Sequence, residues 1–283
     1  MRGMIWPLAL AAVLLSACGG GRMSAGAFED RAREVAERWH GSEADRAWRT
    51  GLVPLEGLGR EPRKMPDRVR VAEHNGVWKL GIELPGGPPA SGEVRWPDGS
   101  ALTVPLISAA TAYAEVSKPP DLVEEECPAE GCTPLRLVGA ELGELPLRTS
   151  RGTIQVPAWH FTAEGVEGRF SRVAVDPSAI SPRPVARKGE FEEVTAFEPV
   201  PARPRDLLLH YGHGSCDRIH GVRAYETSDV VVVDVDEETG DGGCNAMLRL
   251  ARITVTLDEP LGNRLLLDSG TGLPVLRRSW LPH

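Results

Sequence analysis

The clearest periodic segment of the chain begins at Phe28. Apolar residues recur there at spacings of three and four, and charged residues fill the positions between them. This pattern predicts an amphipathic helix from Phe28 to Trp39 that packs on the protein's own sheet. Ser42 precedes Asp45 by three residues, a spacing that predicts a capped second helix ending near Thr50. The apolar stripe of the first helix comprises Phe28, Ala32, Val35, Ala36 and Trp39.

Beyond Gly51 the pattern changes to short alternating segments, which are typical of strands. Asp98-Gly99 between two of them predicts a hairpin, whereas Ser181 to Pro204, rich in proline, predicts an extended connection. The predicted fold class is mainly β (α+β), with a short N-terminal amphipathic helix and antiparallel β-rich regions stapled by disulfides. The predicted strands are Val69–Ala72, Val77–Leu84, Gly92–Trp96, Ala101–Ile107, Ala112–Val116, Leu135–Glu141, Gly152–Ala163, Arg169–Val175, Leu207–His210, Gly221–Thr227, Val230–Asp236, Ala246–Asp258 and Arg264–Asp268.

Two stretches of the second half refine this picture. Between Arg249 and Leu257, Ala251, Ile253, Val255 and Leu257 share one face, which predicts a strand with one buried side. The alternating carboxylates from Asp234 to Asp241 could hold calcium, but the glycine and glutamate positions of an EF-hand loop are not met. We therefore expect an acidic hairpin turn between the flanking strands.

The start of the chain has the pattern of a targeting signal. Arg2 precedes an apolar run from Ile5 to Leu15, and Leu15-Ser16-Ala17-Cys18 follows. The run is too short to cross a bilayer and is typical of a secretory signal. Its end resembles the lipobox of bacterial lipoproteins. The resemblance implies cleavage before Cys18, lipid on that cysteine, and a location on the extracytoplasmic face of the cell membrane.

These signals suggest an order of regions along the chain. The predicted organisation is a signal peptide at 1–17, a lipidated cysteine with a flexible tether at 18–27, a helix with a small β-rich region at 28–118, a linker at 119–132 and a main β-rich domain at 133–283. The linker is assigned to the stretch of proline and glutamate that ends at Cys132. We leave open whether the two β-rich regions form one body.

The net charge of the chain restricts the classes of molecule that it is expected to bind. Lys and Arg number 32 against 40 Asp and Glu, a formal net charge of −8, and both signs are interspersed. This balance argues against nucleic acid as a partner. The expected partners are the membrane, reached through the N-terminal lipid, and an envelope protein.

Four cysteines remain of five once Cys18 is set aside. An even number outside the cytoplasm suggests two disulfides, and three pairings are possible. We favour Cys127–Cys132 and Cys216–Cys244 because each pair closes a local loop. A metal site and a thiol nucleophile at Cys216 are the alternatives.

The segment from Leu209 to His220 concentrates histidines. His210, His213 and His220, together with Asp217, are candidate ligands of a transition metal. Their spacing matches no metal motif, so we expect a loop beside a disulfide, with no metal and no cofactor. Ser215 lacks the flanking glycines of a nucleophile elbow, and no catalytic residue is assigned.

Several segments of the second region look familiar. They are Thr149–Gly152, Val156–Phe161, Val255–Arg264 and Asp268–Val275, with Cys216 and Cys244 between the blocks. They resemble segments of uncharacterised secreted lipoproteins from high-GC Gram-positive bacteria. The resemblance implies an extracytoplasmic β-rich module, and it does not imply any activity.

The leading hypothesis for function is a non-catalytic binding or interaction module at the cell envelope. An envelope hydrolase with a loop-assembled site and a metal-binding module that uses the His210–His220 loop are the alternatives.

Overall fold

The computed structural model describes residues 22–87, 91–121, 125–128, 130–240 and 247–280. It is an α+β fold with mostly antiparallel sheets, which confirms the predicted fold class. The chain divides into two compact units. Of the described residues, unit 1 combines those in 22–37 with those in 186–279, and unit 2 takes those in 38–185 together with Trp280.

The N-terminal helices follow the predicted pattern. Helix α1 spans Ala25–Trp39, and all five residues of its apolar stripe are buried. Helix α2 spans Glu43–Thr50, and the Ser42 hydroxyl accepts a hydrogen bond from the Asp45 N–H at 3.0 Å. The boundary between the units falls in the last turn of α1.

Unit 2 is organised around a sheet of order β1-β7-β6-β5-β2. Its middle strands form an antiparallel meander, and β2 joins β5 in parallel. The fully buried Leu137, Leu147, Phe161 and Phe170 lie in its core. The strands are β1 (Gly59–Arg60), β2 (Trp78–Leu80), β5 (Leu135–Thr149), β6 (Gly152–Ala163) and β7 (Phe170–Val173).

The predicted Asp98-Gly99 hairpin is present in unit 2. It joins β3 (Gly92–Arg95) to β4 (Ala101–Val104), which pair antiparallel. Gly99 has a φ of +86°, a conformation that glycine adopts at low cost.

Two segments predicted as strands are helices. Val69–Ala72 lies in helix α3 (Asp67–His74), which follows Pro66, and Ala112–Val116 lies in helix α4 (Ala109–Val116). The alternation at Val69 and Val71 was a weak strand signal, and packing against the core of unit 2 overrides it. For α4 the missed signal was Ser108, whose hydroxyl caps the Thr111 N–H at 3.1 Å before an alanine-rich run.

Unit 1 contains two sheets. One has the order β12-β9-β8 and is antiparallel, and the other has the order β10-β11-β13, with β13 parallel to β11. Apolar residues from both sheets form one core, including Leu209, Val233 and Val255. The strands are β8 (Val194–Pro199), β9 (Asp206–Gly214), β10 (Arg218–Glu226), β11 (Val230–Glu238), β12 (Leu248–Thr256) and β13 (Leu265–Asp268). A short 3₁₀ turn at Pro177–Ala179 belongs to unit 2, and another at Arg278–Trp280 lies where the chain passes from unit 1 to unit 2.

Strand pairing in unit 1 corrects two expectations. The acidic segment does not join a hairpin, because β11 pairs with β10 and β13 whereas β12 pairs with β9. The connection expected from Ser181 to Pro204 contains β8, which pairs with β9. The one-sided burial of β12 is confirmed, since Val255 is buried and Thr254 and Thr256 are exposed.

The division into units differs from the regions predicted. The segment 119–132, expected to separate two domains, lies inside unit 2, because β2 before it pairs with β5 after it. The described part of the expected tether is also held in place. Arg22 Nε donates to Asp236 Oδ1 at 2.8 Å, and the Met23 carbonyl accepts from Arg223. The rest of the predicted tether and the predicted signal peptide lie outside the described residues.

Candidate functional site

Unit 2 contains a cavity of about 300 Å³ at one end of its sheet. The ends of helices α3 and α4, the edge strand β1 and its neighbour β7 contribute its walls, so charged residues from distant parts of the sequence meet there. It is lined by Gly59, Arg60, Glu61, Glu73, His74, Glu115, Val116, Lys118, Pro120, Phe170 and Ser171.

Glu73 is the distinctive residue of this cavity. Its side chain is 10% exposed, and its Oε2 atom has no hydrogen-bond partner. His74 Nε2 lies 3.4 Å from that oxygen without the geometry of a hydrogen bond. Burial raises the pKa of the Glu73 carboxyl above its usual range, the Glu61 charge adds to this, and His74 opposes it. A buried carboxylate left in this state is costly, so it requires an explanation.

Helix α3 fixes the position of Glu73. Ala72 lies in the core and Val69 packs against it, which places Glu73 on the buried side of the last turn of the helix. Asn75 then closes the helix, and its side-chain amide donates at 2.8 Å to the carbonyls of Val71 and Glu125. The polar end of α3 is therefore held firmly beside the cavity.

Three donors meet at this point. Glu61, Glu73 and His74 each offer one ligand atom, and these atoms all lie within 4.8 Å of one another. Glu61 is exposed and His74 is half-buried. Among the residues that the structure describes, these three are the His, Cys, Asp or Glu side chains that lie close enough together to hold a metal ion.

A second polar pair lies at the same cavity. Ser171 Oγ is 2.8 Å from His160 Nδ1, and His160 Nε2 is 3.1 Å from the Glu144 carbonyl. The two residues are cross-strand neighbours on β6 and β7, and both are buried. In the tautomer with the proton on Nε2, that N–H donates to the Glu144 carbonyl, and Nδ1 accepts a hydrogen bond from the Ser171 hydroxyl.

Unit 1 holds a different polar cluster. Asp234 is 2% exposed and accepts two hydrogen bonds from Arg223, one of them at 2.7 Å from Nε. Ser269 Oγ lies 3.2 Å from both Asp234 Oδ1 and Glu193 Oε2. Burial, followed by the hydrogen bond and charge of Asp234, raises the pKa of Glu193 to about 9. Glu193, Asp234 and Arg223 also line a cavity of about 330 Å³.

Asp268 completes this cluster. It is 1% exposed, and its oxygens accept from the backbone N–H groups of Val194 at 2.9 Å, Glu193 at 3.1 Å and Thr271 at 2.9 Å. Burial raises the pKa of Asp268, and these hydrogen bonds oppose the rise. The carboxylate thus ties β13 to the start of β8, which is a structural role.

The histidines predicted as metal candidates are engaged in separate contacts. His210 Nε2 lies 2.6 Å from Glu198 Oε1, and His220 Nε2 lies 2.8 Å from Glu238 Oε2. His213 Nδ1 is 2.8 Å from the Gly214 carbonyl, and Asp217 accepts from the Gly214 N–H. Among the described residues these four side chains form no shared ligand group of the kind found at Glu73.

The described residues include three of the five cysteines, Cys127, Cys132 and Cys216. Cys127 and Cys132 form a disulfide with a Cα–Cα distance of 5.1 Å, as predicted. Cys216 is disulfide-bonded, and its predicted partner Cys244 lies outside the described residues, as does Cys18.

Sequence reasoning missed Glu61, Glu73, His74, His160 and Ser171. The adjacent Glu73-His74 pair was a weak signal, and it directly follows Val69–Ala72, which was predicted as a strand and not as the helix that positions the pair. The cross-strand partner of His160 depends on sheet register, which the sequence does not give.

Comparison with known proteins does not assign this chain to a family. Of the helices in the described residues, none combines the length and apolar character needed to cross a membrane. No protein-family model matches the chain, and neither a curated protein nor a solved structure matches it.

Proposed function

We propose that this chain is a lipid-anchored protein of the cell envelope whose folded part is a non-catalytic binding module, with the cavity of unit 2 as its binding site. The observation that carries the binding role is the buried Glu73 carboxylate, which has an oxygen without a partner beside an open cavity. A bound cationic group would satisfy that oxygen and offset the cost of burying the charge.

The anchor is proposed from the lipobox-like segment that ends at Cys18. The contact of Arg22 with Asp236 gives this proposal a geometric consequence. Four residues of extended chain span at most about 14 Å. A lipid on Cys18 would therefore hold unit 1 close to the membrane surface. The proposed family relationship to lipoproteins of high-GC Gram-positive bacteria agrees with such an anchor.

The anchor is tested by metabolic labelling with an alkyne analogue of palmitate in cells that produce the chain. We expect label on the wild type and on a Cys127→Ser/Cys132→Ser variant, which controls for loss of other cysteines. The Cys18→Ser variant should carry no label and should leave the membrane fraction. Label that persists on Cys18→Ser would contradict the anchor.

The binding role is tested by thermal shift. The full chain, solubilised in mild detergent, would be screened against metal ions, polyamines and small organic cations, with Glu73→Gln alongside. A compound that raises the Tm of the wild type but not of the variant supports binding at this cavity. A panel without any such compound would contradict it.

An envelope hydrolase is the second candidate, and the Ser171–His160 pair favours it. The 2.8 Å contact and the Glu144 carbonyl supply a hydroxyl, a base and a group that orients the base. A fluorophosphonate probe tests it: labelling of the wild type that is lost in Ser171→Ala, and kept in Ser178→Ala, would support a serine hydrolase. An unlabelled wild type would contradict this candidate and leave the binding role intact.

A further inference from the structure

The group of Glu61, Glu73 and His74 combines two observations that arise independently. The first is convergence, since three potential ligand atoms from two segments lie within 4.8 Å of one another. The second is an unmade hydrogen bond, since the side chain of Glu73 is nine-tenths buried and its Oε2 has no hydrogen-bond partner. A cation bound between the three side chains would account for both.

The donor types restrict the cation. Ca²⁺ and Mg²⁺ take oxygen ligands almost throughout, whereas an imidazole together with carboxylates suits zinc and the neighbouring divalent transition metals. The set of one histidine and two carboxylates resembles three-ligand zinc sites in donor number, and such sites leave a fourth position for another molecule. All three residues line the cavity, so that fourth position would open into it.

The geometry is compatible with closure around an ion. Tetrahedral bonds of about 2.0 Å place donor atoms roughly 3.3 Å apart. The Glu73–His74 contact of 3.4 Å already meets this spacing. Glu61 has to move inward by roughly 1.5 Å to reach it from the 4.8 Å limit, which an exposed side chain can do by changing rotamer.

We propose that Glu61, Glu73 and His74 bind one divalent transition-metal ion of the zinc class in the cavity of unit 2. This inference rests on the proposed binding function of the cavity and names its ligand class. It requires no lipid anchor and no catalytic step.

The test is a Zn²⁺ titration of the full chain in mild detergent after removal of metals with a chelator. A competing chromophoric chelator reports the free ion. We expect one Zn²⁺ per chain in saturable binding, with the affinity lowered roughly tenfold or more by each of Glu61→Gln, Glu73→Gln and His74→Asn. Zn²⁺ should also raise the Tm of the wild type and leave that of Glu73→Gln unchanged.

Two controls separate this site from its rivals. Glu115→Gln removes a carboxylate that lines the same cavity but pairs with Arg172 at 3.6 Å, and we expect about a twofold effect or less. A His210→Ala/His213→Ala/His220→Ala variant removes the histidines of unit 1 and should bind Zn²⁺ as the wild type does. A melting curve in the absence of metal checks that each variant is folded.

Three results would overturn the proposal: no saturable Zn²⁺ binding by the wild type, unchanged affinity in all three ligand variants, or loss of binding in the unit 1 histidine variant alone. The failures are separable from those of the proposed function. An organic cation that binds the cavity in the thermal-shift panel while Zn²⁺ does not would overturn the metal and keep the binding module. Labelling of Cys18 is independent of either outcome.

Discussion

The two units bury charge in opposite ways. In unit 1, Asp234 and Asp268 are almost fully buried, and arginine, serine and backbone N–H groups satisfy their oxygens. In unit 2, Glu73 is nearly as buried, yet its Oε2 has no hydrogen-bond partner within the described residues, and His74 Nε2 lies 3.4 Å from it. The buried carboxylates of unit 1 thus have their hydrogen bonds made, whereas Glu73 lacks one at Oε2.

This difference separates structural from functional use of buried carboxylates. A buried ion pair with all its hydrogen bonds made fixes the arrangement of strands and needs no ligand. A buried carboxylate beside a cavity reduces stability unless a partner binds, so its presence points to binding. Substitutions in the two clusters should therefore have effects of different size and sign.

The largest expected effect comes from removing a cation of unit 1. Arg223→Met leaves Asp234 buried without its arginine partner, and we expect a loss of about 3–5 kcal/mol in the free energy of unfolding. Urea denaturation measures it. Arg252→Met, at an exposed position on β12, is the matched control and should change stability by about 0.5 kcal/mol or less. Equal effects of the two substitutions would contradict a structural role for the Arg223–Asp234 pair.

The contrast between units was only partly predictable from the sequence. Helix α1 was predictable because its buried stripe repeats at helical spacing, and the β3–β4 hairpin because Asp98-Gly99 favours one turn geometry. The same local reasoning predicted Cys127–Cys132, a pair that closes a short loop.

The sites were not predictable because long-range pairing creates them. The parallel pairing of β2 with β5 brings the two sides of the supposed linker into one unit. Glu61 reaches Glu73 only through the fold of the segment between β1 and α3. The alternation of Val69 and Val71 favoured a strand over Val69–Ala72, which ended before Glu73. The helix that carries Glu73 and His74 in its last turn was therefore not predicted.

The disulfide of unit 2 should have the next largest effect. The Cys127–Cys132 bridge lies on the segment whose Glu125 carbonyl binds Asn75 at the end of α3. By loop entropy, opening so short a loop costs about 2 kcal/mol. We expect Cys127→Ser/Cys132→Ser to lower the urea midpoint accordingly, and treatment of the wild type with reductant to act in the same direction. An unchanged midpoint in the double variant would show that the bridge does not support α3.

A pH-dependent effect is expected in unit 1. Glu193 faces Asp234, Asp268 and Ser269, and burial together with Asp234 raises its pKa to about 9. In the unfolded chain the pKa of a glutamate is about 4.3. Between these values the folded protein binds more protons than the unfolded one, so Glu193 lowers stability as the pH rises through about 9.

Glu193→Gln removes this dependence, because glutamine has no proton to lose. We expect the Tm of the variant relative to that of the wild type to rise steadily from pH 6 to pH 9. Burial and Asp217 raise the pKa of Glu237 to about 7 and have the same sign, but Glu237 is present in both proteins and cancels in the difference. Parallel Tm curves for the two proteins would contradict the raised pKa of Glu193.

The smallest effect, and the one that tests the contrast most directly, is expected at Glu73 in metal-free protein. Glu73→Gln keeps the shape of the side chain and removes a buried charge that has no hydrogen-bond partner at Oε2. We expect the free energy of unfolding to stay unchanged or to rise by up to about 1 kcal/mol. The isosteric Asp234→Asn in unit 1, which breaks a satisfied ion pair, should instead destabilise.

Added Zn²⁺ should reverse the order of stability of the wild type and Glu73→Gln. An ion that binds only the folded state stabilises it by about 2.7 kcal/mol at a hundredfold excess over Kd, and the variant that cannot bind gains nothing. The wild type should therefore be the less stable or equal protein without metal and the more stable one with it. If Glu73→Gln were already destabilised without metal, Glu73 would have a structural partner like Asp234, and the two units would bury charge in the same way.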